Sequence, residues 1–371
     1  MKKRFILSFL VVCLLCGIGI AFAAGGSESD PLISLSYLQD VFLPQVRGKI
    51  TTALNTSDSQ IRTAAEESLS RTAREDASFT ASFREIRLSR DTTISGNTGS
   101  EWILSAGEAQ IGIIGGTVVD VTDGTEAQSG QPMLPGHRYL LAEDTVAELC
   151  VTGKCAVVQY CGAYTLHGSN APDYQGIADA LHTLGGTSPL FRGTGSAVGS
   201  GYELERTPTR IEALIMLLRL LGEEDKALSC KASHPFTDVP DWCTPYVAYA
   251  YEKGYSNGIE TTLFGTDTDT TAQMYVEFLL RTLGYSSTAQ TDISTALSRA
   301  QKDSLLNSGE AAELENSAFL RADVAYLSYY ALNVKVGGRT QTLGEKLRSA
   351  GVFTSEEYKA AQSLVKSSRI R

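Results

Sequence analysis

The apolar positions of the chain change their spacing twice, and those changes divide it. From Ile33, residues Leu35, Leu38, Val41 and Phe42 recur at helical intervals, with Ser34 or Ser36 as a candidate N-cap. Pro44 should break or kink this helix. A second, polar helix is predicted over 59–74, with Ile61 and Leu69 as its few apolar residues. So thin a stripe needs a partner to be stable, and two readings stand: a stalk or oligomer contact, or a loosely packed linker. From about Asp91 glycine becomes frequent and β-branched residues cluster. Residues 111–122 read as strand, followed by the hairpin signal Asp123-Gly124, and 138–142, 146–151 and 155–160 read as further short strands. A small all-β domain, sandwich or barrel, is expected over 91–166. A Gly/Ser/Pro-rich passage over 171–201 holds one helical piece at 177–184, and beyond Gly201 the pattern is strongly helical.

The expected class is therefore α+β and multidomain. A helical segment spans 24–90, the β domain 91–166, a helical region 167–340 and a helical tail 341–371. Ahead of these, Met1-Lys2-Lys3-Arg4 and an apolar run ending Ala21-Phe22-Ala23 have the layout of a secretory signal, with cleavage after Ala23. Val12 and Leu15 precede Cys13 and Cys16 where a lipobox needs a small residue, so lipidation is not expected. No later stretch is long and apolar enough to span a bilayer. A net charge of −10 argues against nucleic acid as a partner and against bulk attraction to an anionic wall. Any anionic polymer must be held by local cationic pockets.

Five cysteines follow the signal: Cys150, Cys155, Cys161, Cys230 and Cys243. None has C-x-x-C spacing, and no histidine sits nearby in ligand spacing, so neither a metal site nor a cofactor is expected. Cys150 and Cys155 flank Val-Thr-Gly-Lys, read as a hairpin loop, and Cys230 and Cys243 flank a connector rich in turn residues; each pair is a candidate disulfide. Asp120 and Asp123 are too few for an EF-hand and are read as turn residues, and His137 as a hydrogen-bonded surface residue. The cationic end of the tail (Lys366, Arg369, Arg371) reads as a solvated helix terminus.

The informative signal is a repeat. Ile215-Met-Leu-Leu-Arg-Leu-Leu-Gly222 recurs 62 residues later as Glu277-Phe-Leu-Leu-Arg-Thr-Leu-Gly284. Pro208-Thr-Arg-Ile-Glu212 precedes the first copy and Thr270-Thr-Ala-Gln-Met274 the second; Leu320-Arg-Ala-Asp323 opens a weaker third. Thr209 and Glu212 have capping-box spacing. The helix that follows should bury Leu214, Met216, Leu217, Leu220 and Leu221 and turn Arg219 outward. One such helix cannot bury its apolar face alone, whereas three close around a common axis. Between the first two copies lie Phe236-Thr-Asp238-Val-Pro-Asp-Trp242, a helix stopped by Lys253-Gly254, and Asn257-Gly258.

In that order these motifs resemble the S-layer homology (SLH) domain, over a little under half the chain. Repeats are expected at about 175–225, 232–286 and 290–335. The resemblance implies a three-repeat helical bundle whose grooves bind secondary cell-wall polysaccharide, often pyruvylated. The motif arginine then contacts an anionic sugar group, helped by an Asp, a Trp and glycines. Carried onto this chain, the role falls on Arg210 and Arg321, with Glu212, Asp238, Trp242, Gly254, Asn257, Gly258 and Asp323 as the remaining candidates. The chemistry suits such a role, because a guanidinium holds a carboxylate through two parallel hydrogen bonds and an indole face suits a sugar ring. The second copy departs from the pattern, with Ala272 for the arginine and Met274 for the acid.

No Walker loop, G-x-S-x-G elbow or H-E-x-x-H occurs, and Ser363-Leu-Val-Lys366 is an isolated S-x-x-K, so no enzyme and no catalytic residue are expected. The function expected is a non-catalytic, exported protein at a bacterial cell wall or surface, anchored to wall polysaccharide. The alternatives are a self-assembling surface-layer subunit, a wall-anchored β domain binding an extracellular ligand, and, last, a wall hydrolase.

Overall fold

A computed structural model describes residues 37–72, 77–168, 171–193, 201–286, 292–337 and 339–370. The signal segment and residues 24–36 lie outside them. The chain divides into two compact units, Met1–Arg71 and Thr72–Arg371. Its class is mixed α+β, with eleven α-helices and one seven-stranded antiparallel sheet among the described residues. No helix among those residues is long and apolar enough to cross a membrane.

In the first unit a π-helical turn, Leu38–Phe42, leads into α1, Leu43–Thr72. Pro44 does not stop the helix. It sits in the first turn of α1, and the wider preceding turn takes up the ring and the missing N–H, with Leu43 N–H bonding to Leu38 O. The two short helices expected are thus one long one.

The second unit opens with β1 (Ala77–Ser89), where the sequence pattern had put helix up to residue 90. A register shift between Thr80 and Arg84 interrupts the alternation that would have marked a strand. The strands β2 (Thr93–Asn97), β3 (Glu101–Gly115), β4 (Val118–Asp120), β5 (Thr125–Glu126), β6 (Arg138–Leu141) and β7 (Val146–His167) follow. Their order is β1-β7-β3-β6-β4-β5. β2 pairs with both ends of β7, Ile94 facing Leu149 and Leu166, so the sheet curls on itself. Trp102, Leu104, Ile111, Tyr139 and Leu149 fill the inside. Asp123-Gly124 is the β4–β5 turn, as its sequence predicts, with Gly124 at φ +68. Residues 146–151 and 155–160, read as two strands, are one: Val-Thr-Gly-Lys is not a loop but continues β7.

The helices are α2 (Tyr174–Thr183), α3 (Arg210–Leu220), α4 (Glu224–Leu228), α5 (Thr244–Glu252), α6 (Ala272–Leu283), α7 (Ala296–Lys302), α8 (Ser308–Asn316), α9 (Arg321–Ala331), α10 (Leu343–Ser349) and α11 (Ser355–Leu364). The three helices that carry the repeated motif, α3, α6 and α9, pack pairwise on one another. Leu214, Met216, Leu217, Leu220 and Leu221 are all buried there. Arg219 is not turned to solvent but held on Glu224, Nε–Oε1 2.8 Å.

The tail is part of the fold rather than a solvated end. α11 packs on α2, and Arg369 pairs with the buried Glu310 on α8. Lys366 belongs to no helix, and Arg371 lies outside the described residues. Sheet and helices share one compact unit, joined by Lys154–Asp323 and Arg90–Glu313.

Candidate functional site

Thr209 starts α3 with a complete capping box: its hydroxyl accepts from Glu212 N, and Glu212 Oε2 accepts from Thr209 N at 2.8 Å. This fixes Arg210 as the first residue of the helix, and the fold turns it inward, 2% exposed. Its guanidinium lies between two rings, with Cζ 5.2 Å from the Phe264 centroid and 4.7 Å from that of Phe278. Nη2 donates to Ser256 Oγ at 3.3 Å. Nε and Nη1 are buried and have no hydrogen-bond partner among the described residues. Burial disfavours the charge, the nearby Arg281 repels it, and Asp238 only partly offsets them; the guanidinium is brought down to about 10.

Arg210 lines an open groove of about 1320 Å³. The loop from Lys253 to Ile259 forms one side, and Met274, Glu277, Phe278 and Arg281 of α6 the other. Gly254, Asn257 and Gly258, expected from sequence, all lie in that loop and line the groove. Gly258 has φ +81, and a Cβ there would meet Phe236 at 2.4 Å and Leu263 O at 2.5 Å, so only glycine fits. Arg281 bonds Glu277 at 2.7 Å, and Glu277 also takes Arg299 at 2.5 Å. Arg210, by contrast, forms no ion pair with an acid among the described residues.

Asp238 acts at one remove. It does not line the groove; it accepts the backbone N–H groups of Phe264, Gly265 and Thr266 at 2.7, 2.7 and 3.3 Å. That holds in place the loop whose Phe264 ring lies against Arg210. Burial pushes the carboxyl up, but these donors outweigh it and hold it below its ordinary value.

Three expected contacts fall elsewhere. Trp242 is 61% exposed at the turn before α5 and does not line the groove. Glu212 is engaged by its cap and by Arg206, which binds both carboxylate oxygens at 2.8 and 2.9 Å. Asp323 is buried in an ion pair with Lys154 of β7, at 2.6 Å, and accepts from Leu320 N at 2.7 Å. Leucine at 320 supplies only half of a capping box, since its side chain cannot accept. Arg321 is buried like Arg210 but is bonded by its own chain: Nε to Tyr202 O at 2.8 Å and Nη2 to Arg192 O at 3.2 Å. In the second copy Thr271 caps α6, and the buried Ala272 offers no charge.

Sequence reasoning missed Ser256, Phe264, Phe278 and Arg281. Arg281 was visible as the repeat equivalent of Arg219. Phe278 had no signal of its own, because it read as ordinary core, and Phe264 stood in the motif order without a site role.

Neither expected disulfide is present among the described residues. Cys150 and Cys155 are fixed on one extended strand, each facing a different neighbour. The buried Cys243 directs its Sγ at Pro240 O, and Cys230 points to Glu252.

The one group of possible metal ligands among the described residues is Asp120, Asp123 and His137, whose ligand atoms lie within 4.8 Å of one another. Asp120 already accepts from Thr122 N and Asp123 N and bonds His137 Nδ1 at 2.8 Å. Three donors fall short of the roughly six to eight oxygens of a calcium site. No family model and no curated protein matches the chain.

Proposed function

We propose that the chain is a non-catalytic bacterial surface protein, exported and then held on the cell wall by an anionic polysaccharide bound in the Arg210 groove. The observation that carries this reading is the guanidinium of Arg210, buried with Nε and Nη1 unpartnered at the wall of an open groove. An unpaired buried cation is costly, so a fold that keeps one gains stability when an anion seats against it. A carboxylate on a sugar, such as a pyruvate ketal, offers acceptors for these N–H groups. Tyr251 and Tyr255 give the groove aromatic surface.

The pairwise packing of α3, α6 and α9 supports the reading of residues 167–340 as three SLH-type repeats. In that reading the copies have diverged: Arg210 keeps two nitrogens without a partner beside the groove, the Ala272 site has lost its cation, and Arg321 is bonded to carbonyls of its own chain. The protein then binds through one groove.

Co-sedimentation with cell walls of the source organism tests this. Wild type should pellet with intact walls and stay in solution with walls stripped of their secondary polymer. Pelleting that ignores the polymer, or wild type that never pellets, refutes the proposal.

A further inference from the structure

The helix α1 carries an exposed apolar stripe: Leu43, Ile50, Leu54 and Ile61 are 38, 53, 65 and 65% exposed. Leu43 to Leu54 and Ile50 to Ile61 are each eleven residues apart, close to three helical turns, so the four share one narrow face. The opposite face is lined by Thr52, Thr56, Ser59 and Thr63, each donating its hydroxyl to the carbonyl four residues back at 2.8–2.9 Å. A helix with one apolar and one hydroxyl-lined face is built to be covered on one side.

We infer that α1 pairs antiparallel with α1 of a second copy of this chain. The charges decide the occupant. Arg47 and Asp58 are also eleven residues apart and so lie on one flank of the stripe. Two identical helices packed antiparallel bring like flanks together, whereas parallel packing sets each flank against the opposite one. The register that places Leu43 opposite Ile61 and Ile50 opposite Leu54 of the second copy also places Arg47 beside Asp58 of that copy. The two-fold axis repeats each contact. Within one copy Asp58 pairs with Arg62, at 3.5 Å and exposed, a weak pair that leaves the carboxylate able to bridge. A lipid surface fits less well, since an interfacial helix sets a cation-rich face against the headgroups, and here that face is hydroxyl. Pairing through α1 does not depend on polysaccharide binding.

The test is the mass of the full chain by size-exclusion chromatography with light scattering, over a dilution series up to high micromolar protein. Wild type should dimerise, and Ile50→Asp/Leu54→Asp should be monomeric throughout. Arg47→Glu and Asp58→Arg should each weaken the dimer by about twofold to tenfold, the loss of two exposed ion pairs. The double reversal Arg47→Glu/Asp58→Arg should restore it. A monomeric wild type overturns the inference, as does a dimer indifferent to Ile50→Asp/Leu54→Asp, or a double reversal that does not rescue. Flotation of wild type, but not of Ile50→Asp/Leu54→Asp, with phosphatidylglycerol vesicles would assign the stripe to lipid and overturn it too.

Discussion

Lys154 Nζ lies 2.6 Å from Asp323 Oδ2, and both side chains are almost wholly buried. The ammonium also donates to Ala318 O at 2.7 Å, so one lysine of the sheet holds the start of α9. Removing one partner strands a buried charge. Lys154→Met or Asp323→Asn should each cost about 3–5 kcal/mol in urea unfolding. The double replacement Lys154→Met/Asp323→Leu should recover most of that loss. Single variants as stable as wild type would show that the pair does not join sheet to helix.

Asp238 should govern the groove without touching ligand. Its carboxyl is held below the ordinary aspartate value, so its contribution to stability is whole above the unfolded pKa of about 3.9 and is lost as pH falls through the lower folded value. Asp238→Asn should lower stability by about 1–2 kcal/mol at neutral pH. The gap to wild type should close as pH drops below about 4. A gap unchanged by acid would place the effect outside this carboxylate.

The C-terminal segment should be required for stability. Arg369 meets both oxygens of Glu310, at 2.5 and 2.7 Å, and Glu310 is buried with Asn307 N and Tyr326 Oη as its other donors. Arg369→Ala should destabilise by about 1–3 kcal/mol, less than a fully buried pair because the arginine is partly exposed. Truncation after Leu364 should do at least as much.

The cysteines should react as separate thiols. In the native protein Cys150, Cys161 and Cys230 should alkylate before Cys155 and Cys243, which are buried. Burial also pushes the Cys243 thiol up to about 11 and Cys155 higher still, suppressing the reactive thiolate. Denaturation without reductant should expose all five to labelling; a missing pair by mass spectrometry would contradict this.

What sequence makes legible here is local. The leucines of α3 and α6, the Thr209–Glu212 box and the Asp123-Gly124 turn are set by residues a few positions apart, and each lies where its pattern puts it. The glycines of the groove loop were legible too, since a fixed turn leaves a fixed signature. What escaped is long-range. Asp323 looks like a motif acid until Lys154, 169 residues earlier, arrives from the sheet. Arg321 looks like a copy of Arg210 until the carbonyls of Arg192 and Tyr202 fold over it. Trp242 sits in a familiar motif, yet its turn points the ring to solvent. Gly153 reads as a turn, but it lies within β7, at a break in the β3 register between Val151 and Ala156.

Arg210 is, on the reading proposed above, held buried and unpaired in order to bind an anion. The most direct measurement takes Arg210→Met through two readouts: unfolding by urea, and calorimetric titration with polysaccharide released from the walls. Replacing an unpaired buried cation by an apolar side chain of similar length should leave stability unchanged or raise it by about 1–4 kcal/mol. Binding should weaken by on the order of a hundredfold, with Arg321→Met binding as wild type does. An Arg210→Met protein that binds as tightly as wild type would contradict a role for this guanidinium in holding the polymer.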